Sequence, residues 1–292
     1  MAVIVRLMGG LGNQMFQYAA ARSLADRYQV ELKLDLFDFE YHRLRRYELG
    51  NFRIRAGIAG KDDVRSLGMN IVRLSLYGRL RHRFLPTLSK SVFREKTMAY
   101  DPKMESIALP VYLDGYWQSE RYFVFNRDVI RNDFQLTSQP DESNGEVLTR
   151  IKAVNAVSLH VRRSDYVTDS KTSKVLGLCS LDYYRNAVSY ISEIVDRPHF
   201  FVFSDDHSWV QENLGFVTPR TIVTVNSSQN GVFDMMLMQC CKHHIIANSS
   251  FSWWGAWLNS AHGKIVIAPK KWFVDDMQLQ TNDLIPSSWI RL

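Results

Sequence analysis

Hydrophobic and polar positions repeat along the chain with two periods, which predict strands and helices in turn. Short apolar or alternating runs predict buried strands, over Ala2 to Leu7, Glu31 to Leu36, Val111 to Tyr116, Ala156 to Val161, His199 to Phe203, His243 to Ala247 and Lys264 to Ala268. Apolar residues at helical spacing predict helices, over Met15 to about Tyr28, Leu181 to Val195, Val232 to Lys242 and Trp253 to Leu258. This alternation predicts an α/β fold with parallel sheets.

The polar stretch Thr137 to Gly145 is the strongest linker signal in the chain. It contains Pro140 and Gly145 among polar side chains, a composition typical of a connecting loop. A chain of 292 residues is long enough for two domains of about 150 residues each. We therefore predict a first domain over residues 1–145 and a second over residues 146–292.

Charge is unevenly distributed. The formal net charge is +6, and basic residues far outnumber acidic ones between Arg43 and Arg83. Such a stretch is typical of a solvated helical face, and the alternative is peripheral contact with the anionic inner membrane surface. No recognised nucleic-acid motif accompanies the stretch, so we expect no nucleic-acid partner.

Cysteine content and hydropathy indicate the compartment. The three cysteines, Cys179, Cys240 and Cys241, are an odd number with two adjacent, which argues against disulfides and for a reducing environment. No apolar run approaches the ~18 residues of a membrane span, and the start MAVIVRLMGG lacks signal-peptide features. We expect a cytoplasmic protein.

Two arginines follow the predicted strand in AVSLHVRRSDY, residues 156–166. Arg162 and Arg163 come directly after His160 and Val161, at the carboxyl end of the strand, where open α/β sheets bind ligands. A guanidinium group stays charged and offers a planar fork of donors to phosphate. This pattern fits a diphosphate site, and ordinary salt bridges at a strand end explain it equally well.

Two other strand ends carry polar clusters. Ser204-Asp205-Asp206 places carboxylates where they accept hydrogen bonds from a guanine edge or a ribose, or cap the next helix. Asn248-Ser249-Ser250-Phe251-Ser252 precedes a predicted helix and offers N–H and hydroxyl donors, as phosphate cradles do. Arginines, carboxylates and a hydroxyl-rich helix start at one sheet edge together favour a nucleotide diphosphate over ion pairs alone.

The first domain carries weaker signals. The turn Gly9 to Gln14 has glycines at Gly10 and Gly12 and only partly matches a dinucleotide fingerprint. The amide of Asn13 then lies near a helix start, where it can meet an anion or a sugar hydroxyl, or the segment is a plain tight turn. Aromatic residues beside Gln118 and Glu120 suit either a sugar-acceptor cleft or packing between domains.

Four motifs together carry a family resemblance. They are GGLGNQMFQYA at 9–19, HVRRSDY at 160–166, FSDD at 203–206 and IIANSSFSWWGAWL at 245–258, and their order along nearly the whole chain resembles the bacterial α-1,2-fucosyltransferases, which use GDP-fucose. The resemblance implies a GT-B-type arrangement of two Rossmann-like domains facing across a cleft. It also implies inversion at the sugar carbon, no metal and no cofactor. No Asp-x-Asp motif occurs in the chain.

The resemblance also implies roles for individual residues. The expected donor-binding residues are Gly10, Gly12, Asn13, His160, Arg162, Asp205, Asp206, Ser249, Ser250 and Phe251. Arg162 would bind the β-phosphate and stabilise the leaving GDP, and His160 would reach the nucleotide. Asp205 or Asp206 would contact the guanine or ribose. Asn13 would close over the fucose, and Arg163 either joins the site or pairs with a carboxylate behind it.

Direct displacement at the sugar carbon calls for a general base near the acceptor hydroxyl. Candidates are Asp35, Asp114, Glu120 and Asp165. We assign the role to Asp165 because it belongs to the motif, although it could instead orient Arg162. The expected activity is transfer of L-fucose to O2 of a galactose-type residue on a surface glycan such as lipopolysaccharide O-antigen, with a lipid-linked acceptor. The alternatives are another nucleotide sugar or linkage, or a non-catalytic basic protein that docks on anionic surfaces.

Overall fold

The chain divides into two compact units. The computed structural model describes residues 1–41, 45–68, 91–163, 177–227, 229–274 and 280–292. The first unit comprises Met1–Thr137 with Asn282–Leu284, and the second comprises Ser138–Thr281 with Ile285–Leu292. The division lies before the predicted boundary at Gly145. Asp141 caps a helix that starts at Glu142, so the prediction that residues 142–145 belong to a linker is wrong.

The first unit is a parallel α/β sheet. Its strands are β1 Ala2–Arg6, β2 Glu31–Asp35, β3 Gly57–Ile58, β4 Val92–Arg94 and β5 Val111–Asp114. Its helices are α1 Leu11–Tyr28, α2 Phe37–Tyr41, α3 Lys61–Ser66 and α4 Arg127–Asp133, with 3₁₀ turns at Leu49–Asn51, Pro102–Ser106, Glu120–Tyr122 and Val124–Asn126. The described strands are ordered β3-β2-β1-β5-β4. The strand order therefore reverses between β1 and β5.

Helix α1 begins four residues earlier than the pattern predicts, at Leu11. The carbonyl of Gly10 accepts from the N–H groups of Asn13 and Gln14, at 2.9 and 3.1 Å. Gly12 and Asn13 therefore lie in the first helical turn and not in a preceding loop. The predicted apolar face is buried as expected, and Met15 and Ala19 are fully inaccessible.

The second unit is also a parallel α/β sheet. Its strands are β6 Asn155–Val161, β7 Pro198–Ser204, β8 Arg220–Ile222, β9 His243–Ile245, β10 Val266–Ala268 and β11 Ile290–Arg291. Its described helices are α5 Glu142–Lys152, α6 Leu181–Ile194, α7 His207–Asn213, α8 Gly231–Cys240 and α9 Ser250–Leu258. The described order β11-β10-β9-β6-β7-β8 reverses between β6 and β9. Strand β11 pairs with β10 on its outer side, so β10 is not an edge strand.

Both faces of the second sheet are covered, as parallel sheets require. Side chains of β6 alternate between two cores: Leu159 packs with one group of buried residues, and Ala156 packs with Phe201 and Phe203 on the other side. Burying an aromatic or aliphatic side chain of this size contributes about 1.5–3 kcal/mol. The cores fix β6 and β7 in register, with Val161 opposite Ser204. The segments that follow β6 and β7 therefore leave the sheet side by side.

The fold confirms the predicted fold class at the level of the two units, each a Rossmann-like α/β sheet. Among the described helices, none combines the length and the apolar character needed to cross a bilayer.

Candidate active site

The arginines after β6 and the carboxylates after β7 form a paired cluster. Arg162 Nη1 lies 3.0 Å from Asp205 Oδ2, and the backbone N–H of Arg163 donates to Asp205 Oδ1 at 2.8 Å. Arg163 Nε lies 3.3 Å from Asp206 Oδ2. The parallel register of β6 and β7 produces these contacts, because both segments leave the sheet at the same level.

The two carboxylates differ in role. Asp206 caps α7, accepting from the N–H of Trp209 at 3.0 Å, as the helix-cap alternative predicts. Arg163 packs its guanidinium over the Trp209 ring at 4.2 Å, which fits its structural alternative. Asp205 instead touches both arginines. Contact of either carboxylate with guanine or ribose stays a prediction, and Asp205 is the better candidate because it does not cap the helix.

His160 is a buried neutral side chain beside this cluster. It is 5% exposed, and burial lowers its pKa to about 3, with a further contribution from the Arg162 charge. Its ring lies 5.8 Å from the Phe251 ring, centroid to centroid. Within the described part of the chain, His160 Nδ1 has no hydrogen-bond partner. A buried polar atom without a partner costs free energy, so His160 Nδ1 is suited to a ligand.

The third predicted element is the start of α9. The helix begins at Ser250, three residues before the predicted start, so Ser250 and Phe251 lie in its first turn. Ser249 is extended, and its hydroxyl makes no capping bond; its carbonyl accepts from Trp253 N at 3.0 Å. Among the described residues, no side-chain cap is made at this helix start, which is the positive end of the helix.

These elements converge where the strand order reverses. Strands β6 and β9 are adjacent, with Val157 opposite His243, so Arg162 and the start of α9 follow neighbouring strands. Open α/β sheets bind ligands at such a switch point. The arrangement can hold a diphosphate between a guanidinium and a helix N-terminus, with a neutral imidazole close by.

The corresponding edge of the first unit holds the glycine motif. Gly9 has a left-handed φ of +78°, and a Cβ there would lie 2.6 Å from Asn13 Nδ2. Gly10 is the N-cap of α1. Asn13 Oδ1 accepts from Gln118 Nε2 at 2.7 Å, a contact that the sequence pattern did not predict. Gly12 and Asn13 face this edge from the first turn of α1, and their predicted contact with the donor remains a prediction.

The candidate bases have different surroundings. Asp165 lies outside the described residues. Asp35 is 4% exposed, accepts from Tyr112 Oη and from Phe37 N at 2.9 Å, and burial raises its pKa. Asp114 is paired with two guanidinium groups, at 3.3 and 2.9 Å. Glu120 starts a 3₁₀ turn.

Sequence reasoning missed Glu95, which follows the short strand β4. Its carboxylate accepts from the N–H groups of Tyr116 and Trp117, at 2.7 and 2.9 Å, and burial raises its pKa. A three-residue strand gives too short a periodic signal to mark the residue that follows it.

Two further expectations concern charged groups. Among the described residues, no three His, Cys, Asp or Glu side chains are grouped as a metal site. The basic stretch from Arg43 to Arg83 is described only in part, since residues 42–44 and 69–90 lie outside the described ranges. Its contact with a membrane remains a prediction.

Comparison with known proteins identifies the family of this chain. Residues 80–292 match the model of glycosyl transferase family 11. An Escherichia coli α-1,2-colitosyltransferase is 36% identical over 99% of this chain and 98% of its own length. The Escherichia coli O-antigen biosynthesis glycosyltransferase WbnK is 33% identical over 98% of this chain and 99% of its own. The crystal structure of fucosyltransferase NodZ from Bradyrhizobium covers 87% of this chain and 91% of its own at 15% identity, with a TM-score of 0.45.

The family match covers the motifs after β6, β7 and β9, and the two Escherichia coli relatives cover nearly the whole chain. The protein therefore belongs to glycosyltransferase family 11, the α-1,2-fucosyltransferase family.

Proposed function

We propose that this glycosyltransferase moves L-fucose from GDP-fucose to O2 of a galactose-type residue on a surface glycan such as lipopolysaccharide O-antigen. The reaction inverts the sugar carbon and needs no metal. One observation carries the proposal: the Arg162–Asp205 pair, 3.0 Å apart, follows the strand adjacent to the one that leads into α9, in a chain of glycosyltransferase family 11.

The chemistry starts with the leaving group. Breaking the bond between fucose and GDP leaves additional negative charge on the β-phosphate, so a guanidinium already in place binds the transition state more strongly than the ground state. The Arg162 side chain is 27% exposed, open enough to meet a ligand. Asp205 holds it in one orientation before the donor arrives. The N–H groups at the start of α9 add donors for the phosphates.

His160 contributes a hydrogen bond without a charge. Because burial lowers its pKa to about 3, the imidazole is neutral near pH 7. It can therefore donate or accept at the nucleotide without adding a full positive charge to the one supplied by Arg162.

Activation of the acceptor hydroxyl requires a base, and we assign it to Asp165. The galactose itself carries several hydroxyl groups, which carboxylates and guanidinium groups bind well. Asp38, Asp114 and Arg6, at the carboxyl edge of the first sheet, offer such groups. A lipid-linked acceptor would be met at the cytoplasmic side of the inner membrane.

A second donor is favoured by a specific finding, the 36% identity to an α-1,2-colitosyltransferase. Colitose is L-fucose without its 3-hydroxyl, so GDP-colitose and GDP-fucose differ in one hydroxyl group. A site that hydrogen-bonds a hydroxyl rejects the analogue that lacks it by about 10⁴–10⁵, whereas a site without such a bond discriminates weakly. The ratio of kcat/KM for the two donors therefore reports on the site.

The test measures GDP release and product linkage with both donors and a panel of galactosides, lactose included, with and without chelator. We expect α-1,2-linked product from GDP-fucose at undiminished rate in chelator. A preference for GDP-colitose would reassign the donor. Loss of transfer in chelator would contradict the metal-free mechanism, and no transfer from either donor would refute the proposed function.

A further inference from the structure

The amide groups of Gln118 and Asn13 meet at the point where the strand order of the first sheet reverses. Gln118 follows β5, and Asn13 lies in the first turn of α1, which follows β1. Gln118 Nε2 donates to Asn13 Oδ1 at 2.7 Å. Gln118 is 6% exposed and Asn13 is half-buried, so the contact is partly shielded from solvent. Because Oδ1 accepts this hydrogen bond, the Asn13 amide is oriented with Oδ1 toward Gln118 and Nδ2 away from it.

The opposite end of the Asn13 amide is its Nδ2 group. Within the described residues, Asn13 Nδ2 makes no hydrogen bond to the protein. It lies over Gly9, where a Cβ would approach it to 2.6 Å. The absence of a side chain at Gly9 thus gives the NH₂ group its space. Asn13 therefore presents two N–H donors to whatever ligand enters there.

The backbone that carries Gln118 is held by Glu95. The Glu95 carboxylate accepts from the consecutive N–H groups of Tyr116 and Trp117, at 2.7 and 2.9 Å. Trp117 is fully buried and has a left-handed φ of +57°, a conformation that a non-glycine residue adopts only when its surroundings impose it. A Cβ at Gly115 would lie 2.4 Å from Glu95 Cβ. These contacts together fix where Gln118 points.

We propose that Gln118 is a positioning residue that orients the Asn13 amide so that its Nδ2 donates to an oxygen of the bound substrates. The inference rests on the proposed function, since it assigns a partner to a residue of that site. The Asn13 amide could lie in either of two orientations, and the contact with Gln118 selects one of them. With Gln118 Nε2 on Oδ1, Asn13 offers donors to the ligand; with the amide reversed, it would offer an acceptor, which cannot bond to an oxygen that carries no proton.

The test uses steady-state kinetics of the native enzyme with Gln118→Leu, Gln118→Glu, Asn13→Ala and the double variant Asn13→Ala/Gln118→Leu. Loss of one hydrogen bond to a neutral substrate oxygen corresponds to about two- to tenfold. We expect kcat/KM for the donor to fall by about that factor in Gln118→Leu. The double variant should be no slower than Asn13→Ala, because both changes remove one interaction. Gln135→Glu, an exposed change in the same unit, should behave as the native enzyme.

Gln118→Glu separates orientation from packing, because it keeps the size of the side chain. Its ionised carboxylate cannot donate to Asn13 Oδ1 and attracts Nδ2 instead, whereas its protonated form can donate. Activity relative to native should therefore recover as the pH falls, which loss of packing would not produce. Native kcat/KM in both Gln118 variants, or additive losses in the double variant, would overturn the proposal.

Failure of the proposed function gives a different result. If the native chain transfers from neither donor, steady-state kinetics cannot test the Gln118–Asn13 pair. Thermal unfolding of the same four variants then tests it. Non-additive shifts in Tm for Asn13→Ala and Gln118→Leu would support the amide pair, and additive shifts would overturn it.

Discussion

In each unit, polar side chains lie at the carboxyl edge of a parallel sheet, yet these side chains differ between the two units. In the second unit, the segments after β6 and β7 pair arginine with aspartate one to one, beside a neutral imidazole and a helix start. In the first unit, Arg6 and Arg94 share Asp114, and Arg6 also pairs with Asp38 at 2.6 Å. Buried Asp35 and Glu95 add two carboxyl groups with raised pKa values.

This difference favours an anion at the edge of the second sheet and a polyol at the edge of the first. A guanidinium and a helix N-terminus suit phosphate. Several carboxylates would repel a diphosphate and suit sugar hydroxyls, which donate to carboxylate oxygens. The fold fixes where ligands bind, and the few residues after each strand decide which ligand.

The largest expected effect belongs to Arg162. Arg162→Ala removes the guanidinium expected at the β-phosphate, and kcat/KM for the donor should fall by about 10²–10³ or more, measured as GDP release with unfolding monitored in parallel. Arg150→Ala removes an equal charge from α5, where the side chain bonds Thr221 at 2.7 Å, and should retain native rates. A loss of less than tenfold in Arg162→Ala would break the assignment.

The second prediction distinguishes the role of Asp205 from that of Asp206. Asp205→Ala releases Arg162 and the N–H of Arg163, so turnover should fall by about 10- to 100-fold, the range for one hydrogen bond to a charged group. Asp206→Ala removes the cap of α7, which costs about 1 kcal/mol and should lower Tm by about 2–4 °C with much smaller loss of turnover. Equal kinetic losses in both variants would contradict the separation of roles.

The third prediction addresses the first unit. Asp114→Asn keeps the shape but removes the charge shared by Arg6 and Arg94, and we expect acceptor KM to rise by about tenfold, equivalent to ~1.4 kcal/mol, with donor KM unchanged. Asp128→Asn, whose side chain is 92% exposed, is the matched control. A rise in donor KM instead would contradict the expectation that the first edge binds the acceptor and the second edge binds the donor.

The smallest effect on turnover is expected at Asp234, which accepts from Asn226 and is not among the residues assigned to either substrate. Burial raises its pKa to about 6, although Asn226 donates to it. The native state then binds more protons than the unfolded state between about pH 4 and 6, so the unfolding free energy falls as the pH rises through that window. Asp234→Asn should gain Tm relative to native above pH 6, with native turnover. Parallel pH curves for the two proteins would contradict this.

The sequence pattern predicted the strands that carry long apolar runs and failed at short elements. Strand β6 was predicted because its buried residues form a continuous run, and the three-residue strands β9 and β10 were predicted because each lies within a longer apolar run. The strands β3, β4, β8 and β11, of two or three residues, were not predicted. The starts of α1 and α9 were missed because glycine, serine and asparagine in their first turns have low helix propensity.

The candidate site was predicted in its residues but not in its contacts. Arg162 and Asp205 could be assigned to strand ends from sequence, because parallel strands share an edge. Their pairing depends on the register of β6 and β7, and the Gln118–Asn13 contact joins segments 105 positions apart. Such contacts are set by packing of the whole sheet, which local patterns do not encode.

The most direct test of the central claim compares the binding of GDP and GMP to the native protein and to Arg162→Ala by titration calorimetry. Only GDP carries the β-phosphate that Arg162 is proposed to bind. We predict that the native protein binds GDP at least about tenfold more tightly than GMP, ~1.4 kcal/mol, and that Arg162→Ala loses most of this preference while its GMP affinity changes little. An unchanged preference for GDP in Arg162→Ala would contradict the account.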